Sequence, residues 1–479
     1  MGAADSAAVE AAQPRDRDRF YAMETIGCQM NVYDSERMAE ALARSGYRAT
    51  EDAAIADLII INTCSVRGKS EHKMMSAVGK LKVLREHNPD LVIGVAGCVA
   101  QQEGAALLRH IPHLDLVLGP DQLGRLPELV GEIRSTRQRR AEIELVPRKA
   151  YVFVQPEPPT DGRVTSFVTV MKGCNKFCAF CIVPTTRGRE VSKPSQEVID
   201  EVQLLADHGV REVTLLGQNV NSYGKDRRGA EMDFADLLAR IHDIKGVERI
   251  RFTTSHPMDC SPRLIAAFGQ LPRLMPSMHL PVQAGSERVV KMMRRSHSVD
   301  QLRDQVAALR QERPEIAMTT DVIVGFPGET DADFEQTLAL LAELRFASIF
   351  AFAYSERPGT AAARIADDVT NAVKKGRLQR VLALQADITA QWMATFDQQR
   401  VEVLFEGLSA TERRGSESNA LLRRLGGPPQ LTGRTPQNIK VNVVARDPSA
   451  ILTWPGRLAQ VQVEHIGRHS LSGSLIDFN

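Results

Sequence analysis

Short apolar runs alternate with longer segments of helical periodicity in the first third of the chain. The runs predict strands, and the segments whose apolar residues recur every three or four positions predict helices. We predict strands at 20–26, 57–62, 91–96 and 114–118, and helices at 35–45, 70–87 and 123–134. Strands that alternate with helices form parallel sheets. The pattern therefore predicts a parallel α/β domain.

The alternation resumes near residue 165 and continues for about six cycles. We predict strands at 167–171, 212–216, 250–253, 277–280, 319–324 and 348–354, and helices at 196–208, 234–244, 262–268, 298–312 and 331–344. Repeated right-handed strand-helix units curl into a barrel or part of one. A partial (β/α) barrel is expected here.

The pattern changes again after a long helical stretch at 367–392. Short apolar runs at 401–405, 440–444 and 458–465 are separated by turn signals, such as those at 426–429 and 447–448. Such spacing is typical of a small β-barrel. The predicted fold is therefore α/β, with three folded domains. The predicted parts are a disordered tail at 1–19, the α/β domain at 20–148, a linker at 149–162, the partial barrel at 163–397 and the β-barrel at 398–479.

Charge and composition exclude some functional classes. The net charge of +1 excludes a uniformly basic nucleic-acid binder, although a basic run at 134–140 is a weak RNA candidate. The β-barrel segment from 400 carries ten Lys and Arg against seven Asp and Glu. The first 18 residues lack the apolar stretch of a signal peptide, and no apolar run approaches the ~20 residues that span a bilayer. A cytoplasmic protein with no membrane contact is expected.

Three of the seven cysteines, Cys174, Cys178 and Cys181, lie within eight residues of one another. Their reduced thiols suit zinc or an iron-sulfur cluster. A structural zinc site needs four ligands, whereas three thiolates would leave one iron of a four-iron cluster open. The spacing also fits one face of a helix, so a buried thiol stripe without a metal is the alternative.

Three further cysteines are far apart in sequence but share one position in the predicted topology. Cys28, Cys64 and Cys98 are separated by 36 and 34 positions, and each follows a predicted strand. Ligands of parallel sheets bind at the carboxyl ends of the strands, so a second three-thiol site is predicted there. Three unrelated buried thiols are the alternative. Cys260 has no partner by spacing and is interpreted as a spare thiol.

Polar and glycine residues also follow strands of the predicted partial barrel. Gly217, Gln218 and Asn219 follow the second strand, Gln283 follows the fourth, and Gly325 follows Val324 at the end of the fifth. Glycine lets the backbone approach a ligand closely, but ordinary turns are the competing interpretation for each.

The Cys-x3-Cys-x2-Cys spacing resembles the signature of radical S-adenosylmethionine enzymes. Its continuation, Ile182 to Glu190, is similar to the methylthiotransferases of that superfamily. The resemblance implies one [4Fe-4S] cluster on Cys174, Cys178 and Cys181, and a second on Cys28, Cys64 and Cys98. It further implies S-adenosylmethionine as both radical source and methyl donor. The implied S-adenosylmethionine contacts are Phe180, Gly217, Gln218, Asn219, Gln283, Val324 and Gly325.

The substrate class follows from a second resemblance. Gly27-Cys28-Gln29-Met30-Asn31 is similar to the first cysteine motif of the branch that modifies tRNA, whereas the branch that modifies a ribosomal protein typically has Pro-Lys-Asn after that cysteine. The C-terminal segment resembles the RNA-binding TRAM domain, with similar residues at Gly433–Thr435 and His469–Gly473.

The resemblance implies addition of a methylthio group to carbon 2 of N(6)-dimethylallyladenosine 37 in tRNA. Two other targets stay open, a ribosomal protein side chain and threonylcarbamoyl adenosine in tRNA. The alternative of another class is a non-catalytic, zinc-stabilised RNA-binding protein. The expected partners are the tRNA anticodon stem-loop and an electron donor such as flavodoxin or ferredoxin, and the expected state is a monomer.

Overall fold

The computed structural model describes residues 18–65, 68–147, 150–226, 232–408, 430–444 and 453–476. These residues fall into two compact units, Met1–Glu144 and Leu145–Asn479. Most of the predicted tail at 1–19 and the predicted turns at 426–429 and 447–448 lie outside the described residues. Within the described residues, no helix has the length and apolar character required to cross a membrane.

The first unit is a six-stranded parallel sheet between two layers of helices. Its strands are β1 (Arg19–Ile26), β2 (Tyr47–Ala49), β3 (Leu58–Thr63), β4 (Val92–Gly97), β5 (Leu116–Leu118) and β6 (Arg140–Glu142), in the spatial order β2-β1-β3-β4-β5-β6. Its helices are α1 (Gln29–Arg44), α2 (Gly68–His87), α3 (Cys98–Glu103), α4 (Ala105–His110) and α5 (Leu126–Thr136). The apolar side chains of α1 and α5 form the core on one face of the sheet, and those of α2, α3 and α4 form the core on the other.

The strand order of this sheet reverses between β1 and β3. The chain runs from β1 outward to β2, returns to β3 and then continues through β4 and β5. Such a reversal leaves a crevice at the carboxyl ends of the two central strands, because the connections leave them in opposite directions. The topology therefore places Cys28 and Cys64 at the point where a doubly wound sheet binds its ligand.

The second unit begins with six parallel strands that follow one another in chain order. They are β7 (Thr165–Thr169), β10 (Glu212–Leu216), β11 (Arg249–Phe252), β12 (Ser277–His279), β13 (Ala317–Val324) and β14 (Ser348–Ala353). They form two three-stranded sheets, and a parallel bridge from Ile250 to Leu274 links β11 with the segment that enters β12. The outer helices are α7 (Ser195–Asp207), α8 (Phe234–His242), α9 (Pro262–Gln270), α11 (Val299–Glu312), α12 (Asp331–Leu344) and α13 (Asn371–Ala394). Two short helices, α6 (Val183–Thr186) and α10 (Glu287–Met292), and the hairpin of β8 (Met171–Lys172) with β9 (Val191–Ser192) complete this part.

A closed β-barrel follows α13. Its strands are β15 (Arg400–Leu408), β16 (Gln430–Arg434), β17 (Lys440–Val444), β18 (Leu458–Ile466) and β19 (Ser470–Leu475), which close in the order β15-β16-β17-β19-β18. Alternate residues of β15, β17 and β18, such as Val403, Val441 and Val461, fill its core. The predicted fold class is thereby confirmed: a parallel α/β domain, a partial barrel and a small β-barrel.

Some element boundaries differ from the sequence prediction. Helix α1 begins at Gln29, directly after Cys28, and not at residue 35. Polar residues interrupt the apolar periodicity between residues 29 and 35, so the sequence pattern does not indicate a helix there. Two of these polar residues, Asn31 and Asp34, are nevertheless buried. The segment at 140–142 is a strand at the edge of the sheet and not part of a basic surface run. The domain boundaries at 148, 162 and 397 remain predictions.

The arginines of that basic run are engaged within the first unit. Arg134 donates to the Asp57 carbonyl oxygen at 3.0 Å. Arg139 donates to the carbonyl oxygens of Leu114 and Ile111. The other two form ion pairs, Arg137 with Asp90 and Arg140 with Glu132. These contacts brace the edge of the sheet and favour a structural role over RNA binding.

Candidate active site

The Cys174 loop begins directly after β8, at a glycine that cannot be replaced easily. Gly173 has a φ of +74°, and a Cβ atom there would lie 2.1 Å from the Arg189 carbonyl oxygen. Only glycine fits this turn without a backbone shift. The Cys174 N–H then donates to the Gly188 carbonyl oxygen at 3.1 Å. The loop is therefore folded back against the segment that follows α6.

Asn175 and Glu190 clamp the same loop. The backbone N–H and the side-chain amide of Asn175 donate to the two carboxylate oxygens of Glu190, at 3.2 and 3.3 Å. The Glu190 N–H donates back to Asn175 Oδ1 at 3.3 Å. Glu190 is buried, so these contacts compensate the desolvation of its charge. They fix the loop before any ligand binds.

All three thiols of the loop receive hydrogen-bond donors. The backbone N–H groups two residues further on donate to Cys174 Sγ and Cys181 Sγ, each at 3.5 Å. The Arg295 guanidinium lies 3.7 Å from Cys178 Sγ. Donors to sulfur stabilise the negative charge of a thiolate that binds iron, and they tune the reduction potential of a cluster. The donor set therefore fits an iron-sulfur cluster.

Burial favours the protonated form of two of these thiols, Cys174 and Cys181, in the absence of a metal. It raises the pKa of Cys174 to about 12 and that of Cys181 to about 11, and the neighbouring thiols add to the effect. A metal must therefore displace their protons when it binds. Among the described residues, no three His, Cys, Asp or Glu side chains have the spacing that holds a single metal ion. Each thiolate of a cubane binds its own iron, so three cluster ligands lie farther apart than three ligands of one ion.

Gln218 and Asn219, directly after β10, have buried polar atoms available for a ligand. Gln218 Oε1 accepts the Gly173 N–H, and Asn219 Nδ2 donates to Asp259 at 2.8 Å. Gln218 Nε2 and Asn219 Oδ1 have no partner among the described residues. A buried polar atom without a partner costs about 1–3 kcal/mol, so a polar ligand at this strand end would be stabilised. Both residues fit the predicted S-adenosylmethionine site.

The other predicted cofactor contacts lie at the carboxyl ends of the same strands or beside the cysteines. A Cβ atom on Gly217 would lie 2.6 Å from Met171 Cγ, and Phe180 packs half-buried against the barrel core. Gln283 has a φ of +70°, which turns its buried side chain at the end of β12. Val324 ends β13.

Gly325, with a φ of +70°, begins the turn after β13. Its N–H donates to the Glu329 carboxylate at 2.5 Å, and Arg377 of α13 donates to the same carboxylate at 2.7 Å. Burial raises the pKa of Glu329 despite these two donors. The turn is therefore braced by a buried ion pair between residues 48 positions apart, which spacing in the sequence does not reveal.

Arg295 joins the cysteine loop to the far side of the partial barrel. Besides its contact with Cys178, it donates to the Pro281 carbonyl oxygen at 2.5 Å, two residues before Gln283. The Ala179 N–H donates to the Met293 carbonyl oxygen at 2.8 Å. The structure thus brings the Cys174 loop and the end of β12 together, as the strand-end argument predicted.

Sequence reasoning missed Asp259, which organises the other side of the loop. Its buried carboxylate accepts from Lys176 at 2.6 Å, Lys225 at 2.7 Å and Asn219 at 2.8 Å. Burial works against its charged form, but these hydrogen bonds outweigh burial and lower the pKa of Asp259. Only Lys176, inside the cysteine motif, offered a sequence signal for this network.

His256 and the spare thiol Cys260 are both buried in the second unit. His256 is buried, its Nδ1 accepts the Met258 N–H at 3.1 Å, and burial lowers its pKa. Cys260 lies in the barrel core, and burial raises its pKa to about 12. Both environments favour the uncharged form.

The other three cysteines follow three neighbouring strands of the first unit. Ile26 of β1 pairs with Thr63 of β3, and Thr63 pairs with Gly97 of β4. Cys64 directly follows Thr63, and Cys98 directly follows Gly97. Cys28 follows Ile26 after one intervening residue, Gly27. A Cβ atom on Gly27 would lie 2.8 Å from Cys64 Cβ, so the two cysteine segments touch. The sheet brings these cysteines to one edge across 70 residues of sequence.

Asn31 links the ends of the same strands. Its Oδ1 accepts from the Cys28 N–H and from the Cys28 thiol, each at 3.3 Å. Its Nδ2 donates to Asn62 Oδ1 and to the Thr63 carbonyl oxygen, each at 3.1 Å. Asn62 in turn donates to the Asn31 carbonyl oxygen at 2.8 Å. A buried amide network therefore holds the loop of Cys28 against β3.

The turn at Gly433–Thr435 of the C-terminal barrel contacts the partial barrel. The carbonyl oxygen of Arg434 accepts from Arg249 at 2.7 Å, and that of Thr435 accepts from Arg251 at 2.9 Å. Arg434 itself forms an ion pair with Glu406 at 3.0 Å. Arg249 begins β11, so the turn lies at the amino-terminal ends of the strands, away from the cysteine loop. These residues hold two domains together and are not a free RNA-binding surface.

Two protein-family models match different parts of the chain, each of which contains one set of three cysteines. The model of Uncharacterized protein family UPF0004 matches residues 20–119, which include Cys28, Cys64 and Cys98. The Radical SAM superfamily model matches residues 168–341, which include the Cys174 loop.

Relatives named tRNA-2-methylthio-N(6)-dimethylallyladenosine synthase match nearly the whole chain. The protein from Geobacter metallireducens is 48% identical over 461 residues, which cover 96% of this chain and 99% of the relative. The protein from Myxococcus xanthus is 46% identical, covering 95% and 94%. The chain belongs to the tRNA-2-methylthio-N(6)-dimethylallyladenosine synthase family.

The fold of this synthase family member also resembles solved radical S-adenosylmethionine enzymes. The methyltransferase TsrM from Kitasatospora setae superposes with a TM-score of 0.53 at 13% identity, covering 72% of this chain and 77% of TsrM. At this identity the likeness shows the fold alone. The predicted membership of the radical S-adenosylmethionine methylthiotransferases is thus confirmed by the near full-length relatives and by the two domain matches.

Proposed function

We propose that this chain adds a methylthio group to carbon 2 of N(6)-dimethylallyladenosine 37 in tRNA. The near full-length identity to synthases of that name carries the proposal. Two sets of three cysteines at the carboxyl ends of parallel strands support it, because this transferase chemistry needs both a radical source and a sulfur source. A carbon-hydrogen bond on an aromatic ring is not acidic enough for a side-chain base, so cofactors must supply the reactive species.

We assign one [4Fe-4S] cluster to Cys174, Cys178 and Cys181 and a second to Cys28, Cys64 and Cys98. When bound, the first supplies the electron that cleaves S-adenosylmethionine, and the second supplies the sulfur. The protein positions these groups and excludes water from them. Gly173, Asn175 and Glu190 fix the first loop, Arg295 supplies positive charge beside Cys178, and Asn31 fixes the second site.

We assign the S-adenosylmethionine site to the strand ends of the partial barrel. The buried side-chain amides of Gln218 and Asn219 would bind its polar methionine end. Gln218 contacts Gly173, which begins the cysteine loop, and Asn219 contacts Asp259 beside that loop. The Val324–Gly325 turn would contact its adenine, because glycine lets the backbone approach a flat ring closely. Phe180, Gly217 and Gln283 would complete the pocket.

We further propose that the C-terminal barrel binds the anticodon stem-loop. The turn at Gly433–Thr435 packs against Arg249 and Arg251, so other cations must meet the phosphates. Arg457 and Arg468 are exposed on the barrel and can do so. Phosphate contacts position an RNA, and the unpaired base is then read elsewhere. We expect a monomer that acts in the cytoplasm and receives electrons from a small redox protein such as flavodoxin or ferredoxin.

The test is anaerobic reconstitution followed by reaction with prenylated and unprenylated anticodon stem-loops. Iron and sulfide analysis should give about eight of each per chain, since each cubane holds four. Mass spectrometry of the nucleosides should show the methylthio product on the prenylated RNA only. Zinc in place of iron would instead support a non-catalytic RNA-binding protein. Two clusters without any RNA product would point to a protein substrate.

A further inference from the structure

The inner face of the partial barrel carries a polar layer that belongs to neither cysteine site. Strand residues point alternately to opposite faces. On β13, Met318, Thr320 and Val322 are buried, whereas Thr319 and Asp321 between them are only partly buried. Thr319 and Asp321 therefore face the inside of the barrel, away from the helices.

The neighbouring strands add an aromatic ring to the same layer. Asp321 pairs with Phe350 of β14, and Thr319 pairs with His279 of β12. Ile349 packs against the core beneath the helices, and Phe350, the next residue of the strand, points to the opposite face. The Phe350 side chain is 46% exposed, a large fraction for an aromatic residue in a strand. Its ring therefore lines the inside of the barrel.

These side chains form one connected group, here called the inner-face cluster: His279, Thr319, Asp321 and Phe350. His279 Nδ1 lies 2.9 Å from Thr319 Oγ1, and His279 Nε2 lies 3.4 Å from the Asp321 carboxylate. The His279 and Phe350 rings form a T-shaped pair, with their centroids 5.8 Å apart and an angle of 75° between the ring planes. Asp321 remains 29% exposed, so its carboxylate is fixed by His279 and still reachable from the inside.

The position of the inner-face cluster along the strands leaves room for a substrate between the cluster and a cofactor at the strand ends. Asp321 precedes Val324 by three residues on one strand, which places it about 10 Å below the strand end. That gap accommodates a flat base between the cluster and a cofactor bound at the strand ends. Building on the proposed function, we propose that the inner-face cluster binds the prenylated adenine, with Phe350 contacting its apolar surface and Asp321 accepting its N6–H.

The chemistry of a prenylated adenine matches these groups. Alkylation of N6 leaves one N–H, which a carboxylate accepts as a charge-assisted hydrogen bond. The prenyl group and the ring face are apolar and would cover the exposed ring of Phe350, since stacking on an aromatic side chain stabilises a bound base. An unprenylated base makes a smaller contact with Phe350. The cluster would thus determine specificity, with His279 as the positioning residue for Asp321.

The first test measures binding of prenylated and unprenylated stem-loops by the reconstituted enzyme with S-adenosylmethionine. Phe350→Ala should weaken binding of the prenylated RNA about tenfold and reduce the preference for it. Phe350→Leu, which keeps most of the volume, should lose part of the preference. Leu382→Ala, which removes an exposed apolar side chain from α13, is the matched control and should change nothing. An unchanged preference in both Phe350 variants would refute the role of Phe350.

The second test measures coupling of the reaction. Asp321→Asn should raise the ratio of 5′-deoxyadenosine to methylthio product at least tenfold, because a misplaced base is missed by the radical. Transfer of deuterium from carbon 2 into 5′-deoxyadenosine should fall in parallel. Asp300→Asn, on the exposed face of α11, is the control. Unchanged ratios with a full iron content would overturn the inference, whereas a parent enzyme that forms no product on any RNA would overturn the proposed function itself.

Discussion

The two cysteine sites are built in different ways. Cys174, Cys178 and Cys181 lie within eight residues of one loop, whose turn closes locally through Glu190. More distant residues, Gln218 and Arg295, then hold the folded loop against the barrel. Cys28, Cys64 and Cys98 lie on three separate segments, which meet only because β1, β3 and β4 pair in parallel. The three thiols of the first site are brought together by local turns, and those of the second by the assembly of a sheet.

This difference affects what each site can tolerate. The loop site is held by glycine geometry and by contacts of Asn175, an exposed residue. The sheet site is held by the buried amides of Asn31 and Asn62, which are 0% exposed. Loss of a buried hydrogen-bonding group costs more than loss of an exposed one, because its partners are left unsatisfied. Substitution of the residues that hold the cysteines should therefore destabilise the sheet site more than the loop site. In the loop site, the substitutions with the largest effect should be those of the cysteines themselves.

The largest expected effect is on the loop site. Replacing Cys174, Cys178 or Cys181 by Ala removes an iron ligand, and formation of 5′-deoxyadenosine should fall at least a hundredfold. Iron content should drop from about eight to about four per chain, since the sheet site keeps its cluster. Cys260→Ala, which removes a buried thiol of no assigned role, is the control. Formation of 5′-deoxyadenosine at the parent rate in any of the three variants would show that the cluster assignment is wrong.

Replacing the thiols of the sheet site should separate the two functions. Cys28→Ala, Cys64→Ala or Cys98→Ala should eliminate the methylthio product while 5′-deoxyadenosine still forms within about twofold of the parent rate, because the loop site is intact. Chromatography of both products from one reaction measures this. A variant with half the iron that still made methylthioadenosine would contradict the proposed sulfur role.

The smallest expected effect is on local stability, and it compares the buried Asn31 of the sheet site with the exposed Asn175 of the loop site. Asn31→Ala should lower the local stability of β3 and β4 by about 1–3 kcal/mol, because Asn62 loses buried partners. Amide hydrogen exchange of those strands should accelerate about 5- to 100-fold. Asn175→Ala, at an exposed position, keeps the backbone N–H that Glu190 accepts, so it should change the stability of its own loop by less than about 1 kcal/mol. Equal effects of the two substitutions would show that burial does not distinguish the sites.

Much of the fold could be predicted because its apolar periodicity is strong. Strand β10 and helix α12 lie where the pattern placed them, and the other central strands differ by a few residues. The start of α1 could not be predicted, since its first turns bury the polar side chains of Asn31 and Asp34 beside those of Met30 and Tyr33. Strands β2 and β6, of three residues each, are too short for a periodic signal.

The cysteines of both sites were visible in the sequence, but the residues around them were not. Asp259 is a lone carboxylate in sequence, and only the fold brings Lys176, Lys225 and Asn219 to it. The Arg377–Glu329 pair joins α13 to the turn after β13 across 48 positions. Spacing cannot reveal such contacts, because they depend on how helices pack on strands.

Residue types and their spacing establish the chemistry: thiol ligands at one short spacing, thiols repeated at strand ends, and glycines where the backbone must turn tightly. Those features are local, since each depends on residue type and on the period of a single element. Tertiary packing, in contrast, sets which polar groups surround the thiols and places the turn at Gly433–Thr435 against Arg249 and Arg251. It also decided that His279, Asp321 and Phe350 meet inside the barrel. Strand pairing and side-chain alternation join residues that are 29 to 71 positions apart, and neither is fixed until the sheet forms.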